Sequence, residues 1–146
     1  MRIYLDTSVI SAYYDQRAPE RMQATREFWD VLKRHEILCS EITLDELAQA
    51  SSEFRDRLYA LASGFRIIAI NDEIRALARA YVEAGIVPER YISDALHIAA
   101  AVCGDADILV SWNFKHLVKR NTRLMVNSVS AQRGLRSIEI LAPPEL

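Results

Sequence analysis

No apolar run in this chain comes near the roughly 20 residues that a membrane-spanning helix requires. The first residues, Met1-Arg-Ile-Tyr-Leu-Asp6, meet a charge after three apolar side chains, too early for the apolar core of a secretory signal. Cysteine is scarce: the chain holds two, Cys39 and Cys103, and their spacing fits no zinc-binding pattern. Both lie among apolar neighbours and read as small buried thiols, with no disulfide expected in a reducing compartment. Internal repeats, linkers and low-complexity tracts are absent. These absences lead us to expect a soluble, cytoplasmic protein with no membrane attachment. A more local gap concerns acid, for no Asp or Glu occurs anywhere from Ile108 to Ile138.

Against that background the 146 residues suit one domain spanning 1–146, with 51% hydrophobic and 26% charged residues, as in an ordinary globular protein. A net charge of −2 argues against a general nucleic-acid coat protein. The acid-free stretch nevertheless carries Lys115, Lys119, Arg120, Arg123, Arg133 and Arg136. It reads either as a solvated surface or as a face that binds phosphates.

Apolar periodicity alternates between strand and helix along the whole chain. Residues 2–6 suit a buried strand, and Thr7 or Ser8 can cap a helix reaching about Asp15. Pro19 suits the first turn of a second helix that turns Phe28, Trp29 and Leu32 inward. Residues 36–39 are a second, weaker strand. Thr43-Leu-Asp-Glu46 has the spacing of a capping box and opens a helix that breaks near Ser51–Ser52, resumes to Ala62 and stops at Gly64. Residues 66–70 form a third strand, and Asn71 caps the helix that ends at Gly85. Ser93 caps a helix from Asp94 to Cys103, residues 107–111 form a fourth strand, and a short basic helix is expected around Lys115–Arg120. One more helix and a strand at Ser137–Leu141 complete the pattern, which predicts an α/β fold with a mainly parallel sheet.

In such a sheet, sites form beyond the carboxyl ends of the strands, where strand order reverses. Asp6 ends the first strand, Glu46 lies in the helix after the second, and Asn113 follows the fourth. Asp94 opens the helix leading into the fourth strand, and only a helix returning to the same edge would bring it there. Asp107 begins its strand and belongs to the opposite edge, while Asp72 follows the third strand. Each acid has a plainer reading: Asp6 as a helix cap, Glu46 as the capping-box acid, Asp94 and Asp72 as first-turn acids. Gathered together, Asp6, Glu46 and Asp94 would repel one another, and a bound cation relieves that repulsion. All-oxygen ligands favour Mg²⁺ or Mn²⁺ over zinc, and such an ion with open positions suits phosphoryl transfer.

Four segments resemble one family. Tyr4-Leu-Asp-Thr-Ser8-Val-Ile is similar to the opening motif of PIN domains, and Ile42-Thr-Leu-Asp-Glu46-Leu to their second. Tyr91-Ile-Ser-Asp94-Ala-Leu-His97-Ile-Ala-Ala is similar to the third, and Leu109-Val-Ser-Trp-Asn113-Phe-Lys-His116 to the fourth. The resemblance implies a three-layer α/β/α sandwich and an endoribonuclease dependent on Mg²⁺ or Mn²⁺. Many bacterial members resemble VapC-type toxins, restrained by a small antitoxin protein and often homodimeric. By motif, Asp6, Glu46 and Asp94 would be the metal ligands, Ser8 a supporting group and Asn113 a further catalytic-site residue. Lys115, Lys119 and Arg120 would contact the RNA. Many members carry another acid at or just after the Asn113 position. This chain has Asn113 and His116 there, which leaves open one metal or two, and also a non-catalytic interaction module on the same fold.

Other chemistries fit less of the chain. A haloacid-dehalogenase phosphatase wants a second Asp two residues after the first, where Ser8 stands. A receiver domain, with Asp72 as its phosphorylated acid, wants an acid pair at the end of the first strand, where only Asp6 is found. His97 and His116 could act as a metal-free acid–base pair, although His97 also fits a hydrogen-bonded helix histidine.

Overall fold

The computed structural model describes residues 1–146. Five parallel strands form one sheet in the order β3-β2-β1-β4-β5: β1 (Arg2–Leu5), β2 (Glu36–Ser40), β3 (Arg66–Ile68), β4 (Ile108–Val110) and β5 (Glu139–Leu141). The central strands are near-continuous apolar runs because helices cover both faces of the sheet. Ile3, Tyr4, Leu5, Leu38, Leu109 and Val110 are all fully buried. The helices are α1 (Thr7–Ala12), α2 (Pro19–Leu32), α3 (Glu41–Leu47), α4 (Ser52–Ala62), α5 (Asp72–Glu83), α6 (Ile92–Cys103) and α7 (Arg120–Gln132). This is the expected three-layer α/β/α architecture. No helix is long and apolar enough to cross a membrane.

The chain builds outward from β1 to β2 and β3, then returns to add β4 and β5 on the other side of β1. Strand order therefore reverses between β1 and β4, and a crevice opens beyond their carboxyl ends. The Asp6 amide donates to the Val110 carbonyl at 3.0 Å, so the two chain segments leave the sheet side by side. Because α6 precedes β4, it runs against the strand direction and starts at this same edge. Its buried face is Ala95, Ile98 and the run Ala99–Val102, which packs on the sheet.

Local signals differ from expectation in four places. Neither Thr7 nor Ser8 caps α1; Asp6 takes the N-cap position without any side-chain capping bond, which leaves both hydroxyls inside the helix. The capping box of α3 is Ser40 with Thr43, one turn earlier than Thr43 with Glu46. It closes because the Ser40 amide donates to Thr43 Oγ1 at 3.1 Å. A short 3₁₀ turn at Glu89–Tyr91 feeds directly into α6, so Tyr91 and not Ser93 stands at its N-cap. The basic helix expected around Lys115–Arg120 is absent. Asn113 Oδ1 accepts the amides of Lys115 at 3.1 Å and His116 at 2.9 Å, and this side-chain turn outcompetes helix. Regular helix begins only at Arg120, with Lys119 as its N-cap.

Candidate active site

Four chain segments meet at the crevice: the turn after β1, helix α3, the first turn of α6, and the turn after β4. Asp6 is 5% exposed, and its surroundings answer what a buried carboxylate needs. Its Oδ2 accepts the Ser8 hydroxyl at 2.6 Å and the Ser111 hydroxyl at 2.8 Å. Ser8 also accepts the Trp112 amide at 3.0 Å, and Ser111 the Asn113 amide at 2.9 Å. The serines thus couple Asp6 to the backbone that leaves β4.

Glu46 is half-buried on α3. Its Oε1 accepts Thr7 Oγ1 at 2.9 Å and lies 2.5 Å from His97 Nε2. His97, buried on α6, also brings Nε2 to 3.4 Å from Asp6 Oδ1, and its Nδ1 lies 2.7 Å from the Tyr4 hydroxyl. Tyr4 in turn donates to Ser40 Oγ at 2.8 Å. Burial opposes protonation of His97, yet Tyr4, Asp6 and Glu46 outweigh it and raise its pKa well above 6.5. For Glu46, burial pushes the pKa up, but His97 and the Thr7 hydroxyl hold it below the usual carboxylate value. Glu46 is therefore an ionised partner of His97 rather than a capping acid.

Asp94 sits in the first turn of α6, reaching the crevice because that helix starts at the sheet's carboxyl edge. Its Oδ2 accepts Asn113 Nδ2 at 3.3 Å and faces His116 Nδ1 at 2.8 Å. Burial raises its pKa; the His116 hydrogen bond pulls it down, and the charge of Asp6 pushes it up again. Asp6 and Asp94 thus feel each other as like charges.

These contacts bear on whether the site suits a divalent ion. Each carboxylate has one oxygen engaged by neighbouring side chains. Asp94 Oδ1 and Glu46 Oε2 accept no hydrogen bond, and Asp6 Oδ1 meets only the more distant His97. An all-oxygen set holding two mutually repelling acids fits Mg²⁺ or Mn²⁺. The fit is centred on Asp6 and Asp94. No three His, Cys, Asp or Glu side chains converge as a ready ligand set, and His97 bridges the space between Glu46 and Asp6.

The remaining candidates separate. Lys115 stands beside Asn113 with its Nζ 5.6 Å from the centre of the Tyr91 ring. Lys119 and Arg120 are exposed at the start of α7. The rest of the basic stretch is divided: Arg123 pairs with Glu145, and Arg136 pairs with Asp107 at the opposite edge. Asp72 is exposed after the outer strand β3 and pairs with Arg75, two strands from Asp6. His97 and His116 are both buried and bonded to carboxylates, so they do not face a substrate as an acid–base pair. Tyr4, Thr7 and Ser111 were not among the sequence candidates. Tyr4, Thr7 and Ser8 flank Asp6 closely, and Ser111 lies two residues before Asn113, so proximity in the motifs was their only signal.

The sequence matches the PIN domain family model over residues 3–116, and the chain belongs to that family. Its fold is similar to VapBC2 from Rickettsia felis, solved bound to a DNA fragment from the promoter of that pair. The two share 18% identity at a TM-score of 0.63, covering 97% of this chain and 98% of the other. FitAcB from Neisseria gonorrhoeae shares 18% identity and a TM-score of 0.63, covering 99% of both chains. Mycobacterium tuberculosis VapC20, a sarcin-ricin loop cleaving toxin, shares 14% at a TM-score of 0.58, covering 94% of this chain and 98% of that one. No curated protein sequence matches the chain.

Proposed function

We propose that this protein is a divalent-metal-dependent endoribonuclease and the toxin of a toxin–antitoxin pair. The observation that carries the reading is the crevice at the strand-order switch, where buried Asp6 and partly buried Asp94 stand as mutually repelling carboxylates with no Lys or Arg paired to either. A surface-type ion pair would give each acid a Lys or Arg; here Asp6 has two serine hydroxyls and, at 3.4 Å, His97, while Asp94 has Asn113 and His116. Asp6 and Asp94 would hold Mg²⁺ or Mn²⁺, and the ion would supply acidification of a water and offset of charge on the scissile phosphate.

The chain's own residues do the rest. Ser8 and Ser111 fix the Asp6 carboxylate so that its other oxygen stays turned to the crevice. Glu46, anchored through one oxygen by Thr7 and His97, orients the attacking water with the second. The water oxygen bonds to phosphorus in line with the departing 3′ oxygen, leaving a 5′-phosphate and a 3′-hydroxyl. Lys115, Lys119 and Arg120 hold phosphates without reading sequence. Membership of the PIN family and similarity to VapBC and FitAB structures support both the activity and a small antitoxin partner. A groove of about 560 Å³, with Tyr14, Ala50, Phe54 and Leu58 on its apolar side and Ser11, Asp15, Gln16 and Arg17 on its polar side, is a candidate face for that partner.

The test is incubation of purified protein, freed of any co-purified inhibitor, with a mixed structured RNA in EDTA and then with Mg²⁺ or Mn²⁺ restored. Cutting that stops in chelator and returns with either ion, giving 5′-phosphate ends, is expected. Cutting that persists in EDTA would rule out the metal route.

A further inference from the structure

Three cations around the crevice share a feature that charge counting does not reveal: each lies over an aromatic ring, and none forms an ion pair. The Arg21 guanidinium is 5.0 Å from the centre of the Trp112 ring. Arg90 is 5.1 Å and Lys115 Nζ 5.6 Å from the centre of one and the same ring, Tyr91. Arg21, Arg90 and Lys115 are exposed and take no part in any ion pair. Two positive charges gathered at one ring without a carboxylate repel each other, and an anion relieves that repulsion.

The rings beneath them are fixed. Trp112 is 9% exposed and donates its indole N–H to Thr25 Oγ1 at 2.9 Å. Tyr91 packs on His116 with ring centres 4.4 Å apart, and His116 is the partner of Asp94. Between Trp112 and His116 in the chain, on the turn that carries Asn113, stands Phe114. Its ring centre is 6.2 Å from that of Trp112, and the residue is 50% exposed. A single exposed aromatic is ordinary on its own. One held in a tight turn, with unpaired cations on the rings beside it and a phosphodiester site one residue away, has the make-up of a single-strand nucleic-acid platform.

We infer that Phe114, with Arg21, Arg90 and Lys115, forms a subsite for an unpaired nucleotide of the RNA next to the bond that is cut. The Phe114 ring stacks on the base, and the cations hold the phosphates to either side. This rests on the ribonuclease reading and assigns to Phe114 and its neighbouring cations the recognition of an unpaired base. A base inside a duplex is already stacked on both faces and has none to offer Phe114, whereas an unpaired base can be splayed out.

The experiment is fluorescence anisotropy with the full chain in EDTA, so that binding is read without cleavage. The probes are a labelled 12-nucleotide single-stranded RNA and the same strand annealed into a blunt duplex. Phe114→Ala should weaken single-strand binding about tenfold, as for loss of one stacked base, and leave duplex binding unchanged. Phe114→Trp should restore it. Arg90→Ala and Lys115→Ala should each weaken binding and flatten the plot of log affinity against log salt by about 0.7 for each phosphate no longer neutralised. Because Phe114 is exposed, an unchanged thermal unfolding curve is expected for Phe114→Ala. Single-strand binding by Phe114→Ala equal to wild type, equal losses on strand and duplex, or no single-strand binding by the wild type would each overturn the subsite. Cleavage assays keep the two readings apart. A wild type that cuts RNA while Phe114→Ala binds normally removes the subsite and leaves the nuclease. Phe114-dependent binding by a wild type that never cuts removes the nuclease and leaves the subsite.

Discussion

Ser111, the first residue past β4, donates its hydroxyl to Asp6, the first residue past β1, across 2.8 Å. The bond joins the two strands between which the order of the sheet reverses, and it orients the acid on which the proposed chemistry depends. Ser111→Ala removes one of two donors to a buried carboxylate oxygen. That loss costs about 1–3 kcal/mol when the acceptor cannot recruit water. A lower unfolding midpoint in urea and a slower RNA cleavage rate are expected together. Unchanged values of both would show that Ser8 alone holds Asp6.

Tyr4 links β1 to two other elements through one hydroxyl, which donates to Ser40 and lies 2.7 Å from His97 Nδ1. Tyr4→Phe keeps the ring and strands these buried partners, so a loss of about 1–3 kcal/mol is expected. Urea titration is the check, and the slope should hold while the midpoint falls. A variant as stable as wild type would mean that Ser40, Thr43 and His97 satisfy one another without it.

Gly104 ends α6 where the chain presses on β3. An added Cβ would meet Ile68 Cδ1 at 2.3 Å and the Ala100 carbonyl at 2.9 Å. The Ile68 methyl could swing away, but the carbonyl belongs to the helix and cannot. Gly104→Ala should cost about 1–3 kcal/mol by overpacking. Gly64 has nothing within 4 Å of the same position, so Gly64→Ala should be neutral or stabilise by about 0.4–1 kcal/mol. Thermal melts of the pair, side by side, separate packing from any general effect of replacing glycine.

Burial pushes both thiols up to about 11, Cys39 and Cys103 alike. At pH 8 almost none of either is thiolate, the form that reacts. A disulfide reagent should therefore titrate the native protein slowly and the guanidinium-unfolded protein quickly, with two thiols released. Rapid reaction of the native chain would contradict the burial of Cys39 and the shielding of Cys103.

The sequence already carried the layers of this fold, because strands covered on both faces must be continuously apolar and the helices between them are punctuated by Asn71, Gly64, Gly85 and Gly104. It also led to Asp6, since a charge ending a buried strand has few places to go. What it did not carry was how each acid is held. Glu46 matched a capping box by spacing, but Ser40 and Thr43 form one too, and only the backbone register decides between them. His97 offered two nitrogens and no hint that one faces Tyr4 and the other two carboxylates. The basic stretch read as one unit, whereas Arg136 lies at the far edge of the sheet and Arg90, from outside the stretch, joins Lys115 at Tyr91. The Lys115–Arg120 helix failed because Asn113 ties down two backbone amides first, a side-chain effect that periodicity does not register.

Asp6→Asn bears on the metal-dependent cleavage itself. It keeps the size of the side chain and its acceptor oxygen while removing the charge that would hold the ion. Cleavage of one defined RNA in Mg²⁺ or Mn²⁺ should be compared between wild type and variant, both shown to be folded by circular dichroism. The wild type should cut, and the variant should be inactive at every metal concentration. A folded Asp6→Asn protein that cuts at the wild-type rate would contradict that expectation.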